Sequence, residues 1–390
     1  MKITILGGGG RVGRRIADLV EARHLGEVTI ADRRLAAVDP ARRRIEVDLS
    51  DDKSLAAAIH GQDLVVNCVG PFDRWGTRVL DMAIELGVDY LDVCDDPAPT
   101  LALLARAEAA RAAGVRAVVG LGASPGLANM LGVVATRHLD ETDLLVNYWG
   151  DPNEDVPAAA APAEADRVAA AFSSGRAALT HAIAQARGAI PVWRDGELGE
   201  IPAWQPPYRI RLSTGESGLF RPIGHPEPVT IPRTATVRHC ICVGTLGVGT
   251  DRVMAEVIGE VEAGTVAVGD ACGEIARRIT EDPQRLASAR VDPPLPALIG
   301  AVAVGRRGGE PRSVTVMPGG PTDGSMSSET ARPCVLGIEL LEGVAPGVHA
   351  PEGAYDVDEF LTRFSEREWE GAAPFRVDDQ AGTLFELTVP

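Results

Sequence analysis

Lysine is almost missing from this chain of 390 residues: only Lys2 and Lys53 occur, so nearly all of the 38 basic residues are arginine. Lys2 opens the chain and Lys53 lies in a polar stretch. This argues against a Schiff-base lysine, a phosphate-loop lysine and lysine acid–base catalysis. Cysteine is sparse too. The six cysteines (Cys68, Cys94, Cys240, Cys242, Cys272 and Cys334) are scattered with no C-x-x-C pair. No zinc site, disulfide framework or other metal is expected from that spacing. No apolar run approaches the ~20 residues of a membrane helix. Positive charge is in deficit, with 38 basic against 55 acidic residues and a net charge of −17. Such a surface is a poor match for nucleic acid or an anionic membrane, and neither partner is expected. Scattered thiols and an opening strand with no signal-like segment give the expectation of a cytoplasmic protein.

What is present begins at once. The length suits two to three domains of roughly 150 residues each. Lys2–Leu6 reads as a buried strand, followed by Gly8-x-Gly10-x-x-Gly13 and a helix carrying Val12, Ile16, Leu19 and Val20 on one face. Strand, glycine loop and helix in that order are the context in which this spacing binds a dinucleotide. Small residues admit the pyrophosphate to the backbone, and the helix N-terminus stabilises its charge. Gly8, Gly10, Arg11, Val12 and Gly13 are the expected contacts. The next strand, Glu27–Ala31, ends at Asp32, where such enzymes hold the adenosine ribose. Asp32 repels a 2′-phosphate, whereas Arg33 and Arg34 attract one. NAD is expected, with NADP possible.

Strands at Arg44–Asp48, Asp63–Cys68, Val88–Val93 and Arg116–Leu121 then alternate with helices at Asp51–Ile59, Thr77–Leu86 and Pro99–Ala113. That alternation predicts a Rossmann-type doubly wound parallel sheet over 1–125. Asn67, Gly70 and Pro71 follow a strand on the ligand-binding edge and are expected to line the nicotinamide ribose; Gly122 is expected to close the site. Beyond a helix at Pro125–Arg137 and a strand at Asp143–Trp149, the pattern becomes a loop at Pro157–Ala165 and a helix at Asp166–Arg187. Hairpin-like strands follow, with Asp195-Gly196 as a turn. Further strands are expected at Tyr208–Leu212, Thr234–Val243, Ala297–Gly305 and Ser313–Met317, and helices at Asp251–Ala263, Thr265–Ile279 and Ser327–Glu342. This predicts a second α+β domain over 126–325 with a mixed or antiparallel sheet.

Five segments occur in order: Gly7–Gly13, Val65–Gly76 (VVNCVGPFDRWG), Gly87–Asp92 (GVDYLD), Gly120–Asn129 (GLGASPGLAN) and Gly347–Phe360 (GVHAPEGAYDVDEF). In these the chain resembles the saccharopine dehydrogenase-like oxidoreductases, which include saccharopine reductases, lysine 6-dehydrogenases and carboxynorspermidine dehydrogenases. The resemblance implies that 326–390 returns to the Rossmann domain. It implies hydride transfer at a C–N bond of an amine or amino acid, and a homodimer. Proton handling then falls to Asp95, in the cluster Asp92-Val93-Cys94-Asp95-Asp96, or to His181 or His225. A helix cap is the competing role for Asp95. Arg221, Arg233 and Arg238, on second-domain strands or their ends, are candidates for a substrate carboxylate clamp. Three alternatives stay open: a hydride-recycling cyclodeaminase or amine transferase with bound NAD, enoyl reduction, and a non-catalytic nucleotide-binding protein.

Overall fold

The computed structural model describes the chain apart from 151–155, 174–176, 205–206, 288–291, 322–324, 383–385 and 388–390. It divides into two compact units: residues 1–134, 229–235 and 318–376, and residues 135–228, 236–317 and 377–390.

The first unit opens with β1 (Lys2–Leu6), α1 (Arg11–Ala22), β2 (Glu27–Asp32), β3 (Arg44–Glu46), α2 (Asp52–Ile59) and β4 (Leu64–Asn67). It continues with α3 (Phe72–Leu86), β5 (Asp89–Asp92), α4 (Pro97–Leu104), α5 (Ala107–Ala113), β6 (Arg116–Val118) and the start of α6 (Leu127–Arg137). A late strand, β15 (Gly347–His349), completes a seven-stranded sheet in the order β15-β6-β5-β4-β1-β2-β3. Every pairing in it is parallel. Central strands are apolar on both faces because helices cover both: Ile3, Ile5, Leu6, Leu64, Val65 and Val66 are all fully buried. The one polar residue inside β1, Thr4, donates its hydroxyl to the Ala58 carbonyl at 2.9 Å.

The late helices α12 (Met326–Leu340) and α14 (Val357–Glu368) are tied to α1 by charge. Arg23 reaches Glu339 at 3.0 Å and also pairs with Glu368, which Arg332 meets at 3.2 Å. These groups are largely shielded from water, so the bridges are screened less than surface pairs and fix where the returning chain sits.

The second unit holds a mixed sheet of ten strands. They are β7 (Glu141–Gly150), β8 (Ala189–Arg194), β9 (Glu197–Pro202), β10 (Tyr208–Arg211), β11 (Ser217–Pro222), β12 (His239–Thr245), β13 (Ile299–Arg307), β14 (Glu310–Pro318), β16 (Phe375–Ala381) and β17 (Glu386–Leu387). The main path runs β16-β14-β13-β7-β12-β11-β10-β17, with the β8–β9 hairpin attached to β12. β12 and β7 are parallel, while β13 is antiparallel to β7. Helices α7 (Ala161–Ser173), α8 (Ala177–Gln185), α10 (Val248–Glu262) and α11 (Ala271–Glu281) accompany it. Tyr148 and Phe220 meet at 5.1 Å between centroids inside its core. No helix among the described residues is long and apolar enough to cross a membrane.

Several element boundaries differ from the sequence expectation. α3 begins at Phe72, not Thr77, because Phe72 and Gly76 already face the core. The single helix expected at Pro99–Ala113 is two, α4 and α5, with the chain turning at Arg106, whose guanidinium holds Asp81 at 3.1 Å. The Pro157–Ala165 loop gives way to α7 from Ala161, since Ala161 and Ala165 pack inward one turn apart. Positions 174–176 of the helix expected at Asp166–Arg187 lie outside the described residues. The helix expected from Thr265 starts at Ala271, after a 3₁₀ turn at Val268–Asp270. The strand expected from Thr234 starts at His239, because residues 229–235 belong to the first unit.

Candidate active site

The glycine loop is built for close approach. A Cβ at Gly13 would stand 2.6 Å from the Gly7 carbonyl and 2.8 Å from Gly8 Cα, so helix and strand can touch only without side chains. Gly7 takes φ +73°, which favours glycine. Gly10 differs: a Cβ there would meet only the Gly7 oxygen, at 3.1 Å, and otherwise open space. Gly10 is the N-cap of α1 and supplies no side-chain cap. The first backbone donors of the helix, at Arg11, Val12 and Gly13, therefore remain for an anion. This is a cradle that a Cβ would fill, and it fits a dinucleotide pyrophosphate.

Asp32 ends β2 beside this loop. Its carboxylate accepts from the Gly9 amide and from the Arg34 amide, each at 3.0 Å. Two backbone donors thus fix the orientation of the acid, while Arg33 and Arg34 stay exposed.

The carboxyl ends of β4 and β5 carry a buried polar chain. Asn67 donates to Tyr90 Oη at 3.3 Å and accepts from the Val69 amide at 3.0 Å. Tyr90 donates to Asp92 Oδ2 at 2.8 Å. Asp92 Oδ1 accepts from the Gly120 amide at 2.6 Å and the Cys94 amide at 3.0 Å. Asp92 therefore clasps the loop after β5 to the loop after β6. Asn67 and Asp92 are both fully buried, so Asn67 is spent on this chain of bonds. Gly70 presents open space where a Cβ would stand, and Pro71 caps α3.

Burial pushes the Asp92 carboxyl up to about 6; the nearby Asp95 charge adds to this, and the three hydrogen bonds oppose it. Asp95 itself is half-buried. It does not cap α4: the N-cap is Asp96, whose side chain makes no cap bond. Burial also drives the Cys94 thiol well above its usual range, which leaves it a poor nucleophile.

Folding favours the protonated form of Asp92, so between the ordinary value of 3.8 and about 6 the folded chain binds more protons than the unfolded one. Its contribution to stability grows as pH falls from about 6 to about 4, by up to roughly 3 kcal/mol. Urea unfolding across that range should show a smaller gain on acidification for Asp92→Asn than for the parent chain. Equal pH dependence of the two would contradict this reading.

The segment Gly120–Asn129 closes on itself. The Gly122 amide donates to the Pro125 carbonyl at 2.9 Å, and a Cβ at Gly126, with φ +118°, would strike the Gly122 oxygen at 2.2 Å. Asn129 then accepts from the Gly126 amide at 2.9 Å. It donates to Glu352 and to Thr230, each at 3.1 Å. Glu352 lies in the Gly347–Phe360 segment, so this bond joins two of the five sequence segments. Sequence reasoning missed Glu352 and Asn129. The available signal was a carboxylate and an amide inside the quoted segments, both of which prove to be buried.

The remaining candidates divide between the units. Arg233 was expected on a second-domain strand or its end; it lies instead in a 3₁₀ turn, Ile231–Arg233, of the first unit and donates to the Val229 carbonyl at 3.0 Å. Arg238 precedes β12 on the surface of the second unit and is engaged with Asp195 at 2.8 Å, a role that hairpin charge pairing explains. Arg221 on β11 donates to the Trp204 carbonyl at 3.0 Å, with its guanidinium 5.9 Å from the Trp204 ring. His181 is half-buried on α8. His225 is almost wholly buried beside Glu227, 3.3 Å from its carboxylate.

Comparison with known proteins bears first on the opening part of the first unit. Residues 3–118 match the family model described as the saccharopine dehydrogenase NADP binding domain. Over those residues the chain carries a domain of that kind. It binds NAD(P). The whole chain is saccharopine dehydrogenase-like in fold. It superposes on the apo saccharopine dehydrogenase (L-Glu forming) from Saccharomyces cerevisiae with a TM-score of 0.63 and 14% identity, covering 97% of this chain and 100% of that one. A Rossmann-fold NAD(P)-binding protein from Shigella flexneri matches at 20% identity and a TM-score of 0.24, over 30% of this chain and 64% of that one. Uronate dehydrogenase from Agrobacterium tumefaciens matches at 19% identity and a TM-score of 0.20, over 24% and 40%.

Proposed function

We propose that this saccharopine dehydrogenase-like chain is an NAD(P)-dependent oxidoreductase acting on the C–N bond of an amino acid or an amino-acid-derived amine. The observation that carries the reading is the pair of carboxylates at the carboxyl end of β5. In a parallel sheet that end shares an edge with the glycine loop. Asp92 is sealed in, its carboxyl pushed up to about 6 by burial, whereas Asp95 is half-buried. Two like groups in unlike surroundings are suited to unlike tasks.

The bound nicotinamide supplies the hydride chemistry. The chain's own residues do the rest. The amides at the start of α1 bind the pyrophosphate, and Asp32 holds the adenosine ribose. Asp95 pairs with the substrate ammonium and accepts its proton, because the nitrogen must be neutral to form an imine. Asp92 keeps the two loops around Asp95 in register, and the Asn129–Glu352 bond keeps the Gly120–Asn129 segment closed behind them. A screen of purified protein against amines, amino acids and hydroxy acids, following nicotinamide absorbance, tests the proposal. Turnover with a hydroxy acid and none with any amine would overturn it.

Within this reading Asp32 selects NAD over NADP, despite Arg33 and Arg34. Asp32→Ala should weaken NAD and relatively favour NADP, a change in preference of about 1–3 kcal/mol. Paired titrations with both cofactors measure it. A parent protein that binds NADP far more tightly than NAD would contradict the assignment.

A further inference from the structure

The second unit contains a donor cluster that hydride transfer does not use. His225, Glu227 and Cys242 each offer one possible metal-ligating atom, and all three atoms lie within 4.8 Å of one another. His225 is 3% exposed and Glu227 0%, and Cys242 is likewise buried. We propose that this cluster is a transition-metal site of the zinc class, with three protein donors and one position left for water.

The local chain is arranged to bring the donors together. Cys242 sits on β12, in the middle of the ten-stranded sheet. β11 runs antiparallel beside it, with Pro222 opposite Val243. As the chain leaves β11, the Ile223 amide donates to the Cys242 carbonyl at 3.1 Å. That bond anchors Gly224-His225-Pro226-Glu227-Pro228 next to the cysteine, and the two prolines limit how the segment can bend. From the other side comes Trp149 of β7, whose ring lies 5.3 Å from the His225 ring. Trp149 reaches there across Gly244, where a Cβ would stand 2.9 Å from the indole. The imidazole is thus held by packing as well as by its chain.

Geometry and charge agree with an ion. A tetrahedral zinc with Zn–N near 2.0 Å and Zn–S near 2.3 Å spaces its donors by roughly 3.3–3.6 Å. His225 Nδ1 and Glu227 Oε2 already stand 3.3 Å apart. No spacing in the cluster exceeds 4.8 Å, so a closure of at most about 1 Å reaches that geometry. A thiolate, a carboxylate and a neutral imidazole sum to a charge that one divalent cation cancels, which suits a buried place. The donor set of nitrogen, sulfur and one carboxylate oxygen favours zinc-class ions over calcium or magnesium.

The test uses the full chain, purified without an affinity tag, loaded with Zn²⁺ or Co²⁺ alone and dialysed free of loose metal. Elemental analysis should give about one equivalent per chain, and the cobalt form should show a thiolate-to-metal charge-transfer band. Cys242→Ala should lose the band and at least nine-tenths of the metal, while Cys272→Ala, altered at another buried cysteine of the same unit, should keep both. A parent chain that stays metal-free after loading overturns the proposal, and so does full metal content in Cys242→Ala. Circular dichroism reports whether the variants fold. If Cys242→Ala does not, the parent's cobalt spectrum decides: a thiolate band supports the site, and its absence overturns it.

Discussion

Asp95→Asn should lower turnover by about 10²–10⁴-fold, the range typical of a lost acid–base group. Asn keeps the shape of the side chain and removes its charge. Cofactor affinity should hardly change, because Asp95 is not part of the glycine loop. The melting temperature should hold as well. A capping role would give the opposite pattern in activity, since Asn caps a helix about as well as Asp. The structure already weighs against capping, because the N-cap of α4 is Asp96. One electrostatic side effect is expected: the Asp95 charge helps raise Asp92, so Asp95→Asn should let Asp92 ionise more readily. Undiminished turnover in the Asn variant would move the search to His181.

Gly10→Val should abolish tight cofactor binding, a loss on the order of 100-fold or more, equivalent to about 2.8 kcal/mol. The protein should keep a cooperative melt. The contrast with Gly13 gives the prediction its edge. At Gly10 a Cβ meets one carbonyl oxygen at 3.1 Å, which a small shift relieves. At Gly13 it meets backbone at 2.6 and 2.8 Å, so even Gly13→Ala forces α1 away from β1. Gly10→Val therefore separates cofactor binding from folding, and Gly13→Ala confounds them. Calorimetric titration with NAD and NADP, beside a thermal melt, reads both. Undiminished affinity in Gly10→Val would mean that the loop is only a structural turn.

The nucleotide unit was legible because its signals are local. A buried strand, a glycine loop and a helix follow one another within the first 22 residues, and each constrains the next. Asp32 could be placed by counting along the chain, and the structure sets it against the Gly9 amide. Alternation of strands and helices was enough to predict a parallel sheet. Other features were out of reach because they depend on distant partners. Nothing near Arg233 in sequence signals that residues 229–235 join the first unit, where Thr230 meets Asn129. Glu352 and Asn129 sit in segments that could be quoted but not connected, since their bond joins residues 223 positions apart. Asp92 was one of three acids in a short cluster. Its full burial and its bonds to Tyr90, Cys94 and Gly120 distinguish it from Asp95.

The second unit was harder for a related reason. Several of its strands run through Gly- and Pro-containing stretches, as β8, β9 and β11 do. β11 and the partner strands of the Asp195-Gly196 turn therefore leave weak alternation. The His225, Glu227 and Cys242 grouping has no recognisable ligand spacing, because sheet register rather than sequence assembles it.

Hydride accounting on a single amine tests the central claim most directly. The substrate would carry deuterium on the carbon bonded to nitrogen, and purified protein would be supplied with oxidised NAD or NADP. Reduced cofactor, transferred deuterium and imine-derived carbonyl product would be measured together. A dehydrogenase acting at a C–N bond predicts all three in equal amounts, with the deuterium on the nicotinamide released to solution. Consumption of the amine with deuterium retained in the product and no net cofactor reduction would contradict that account.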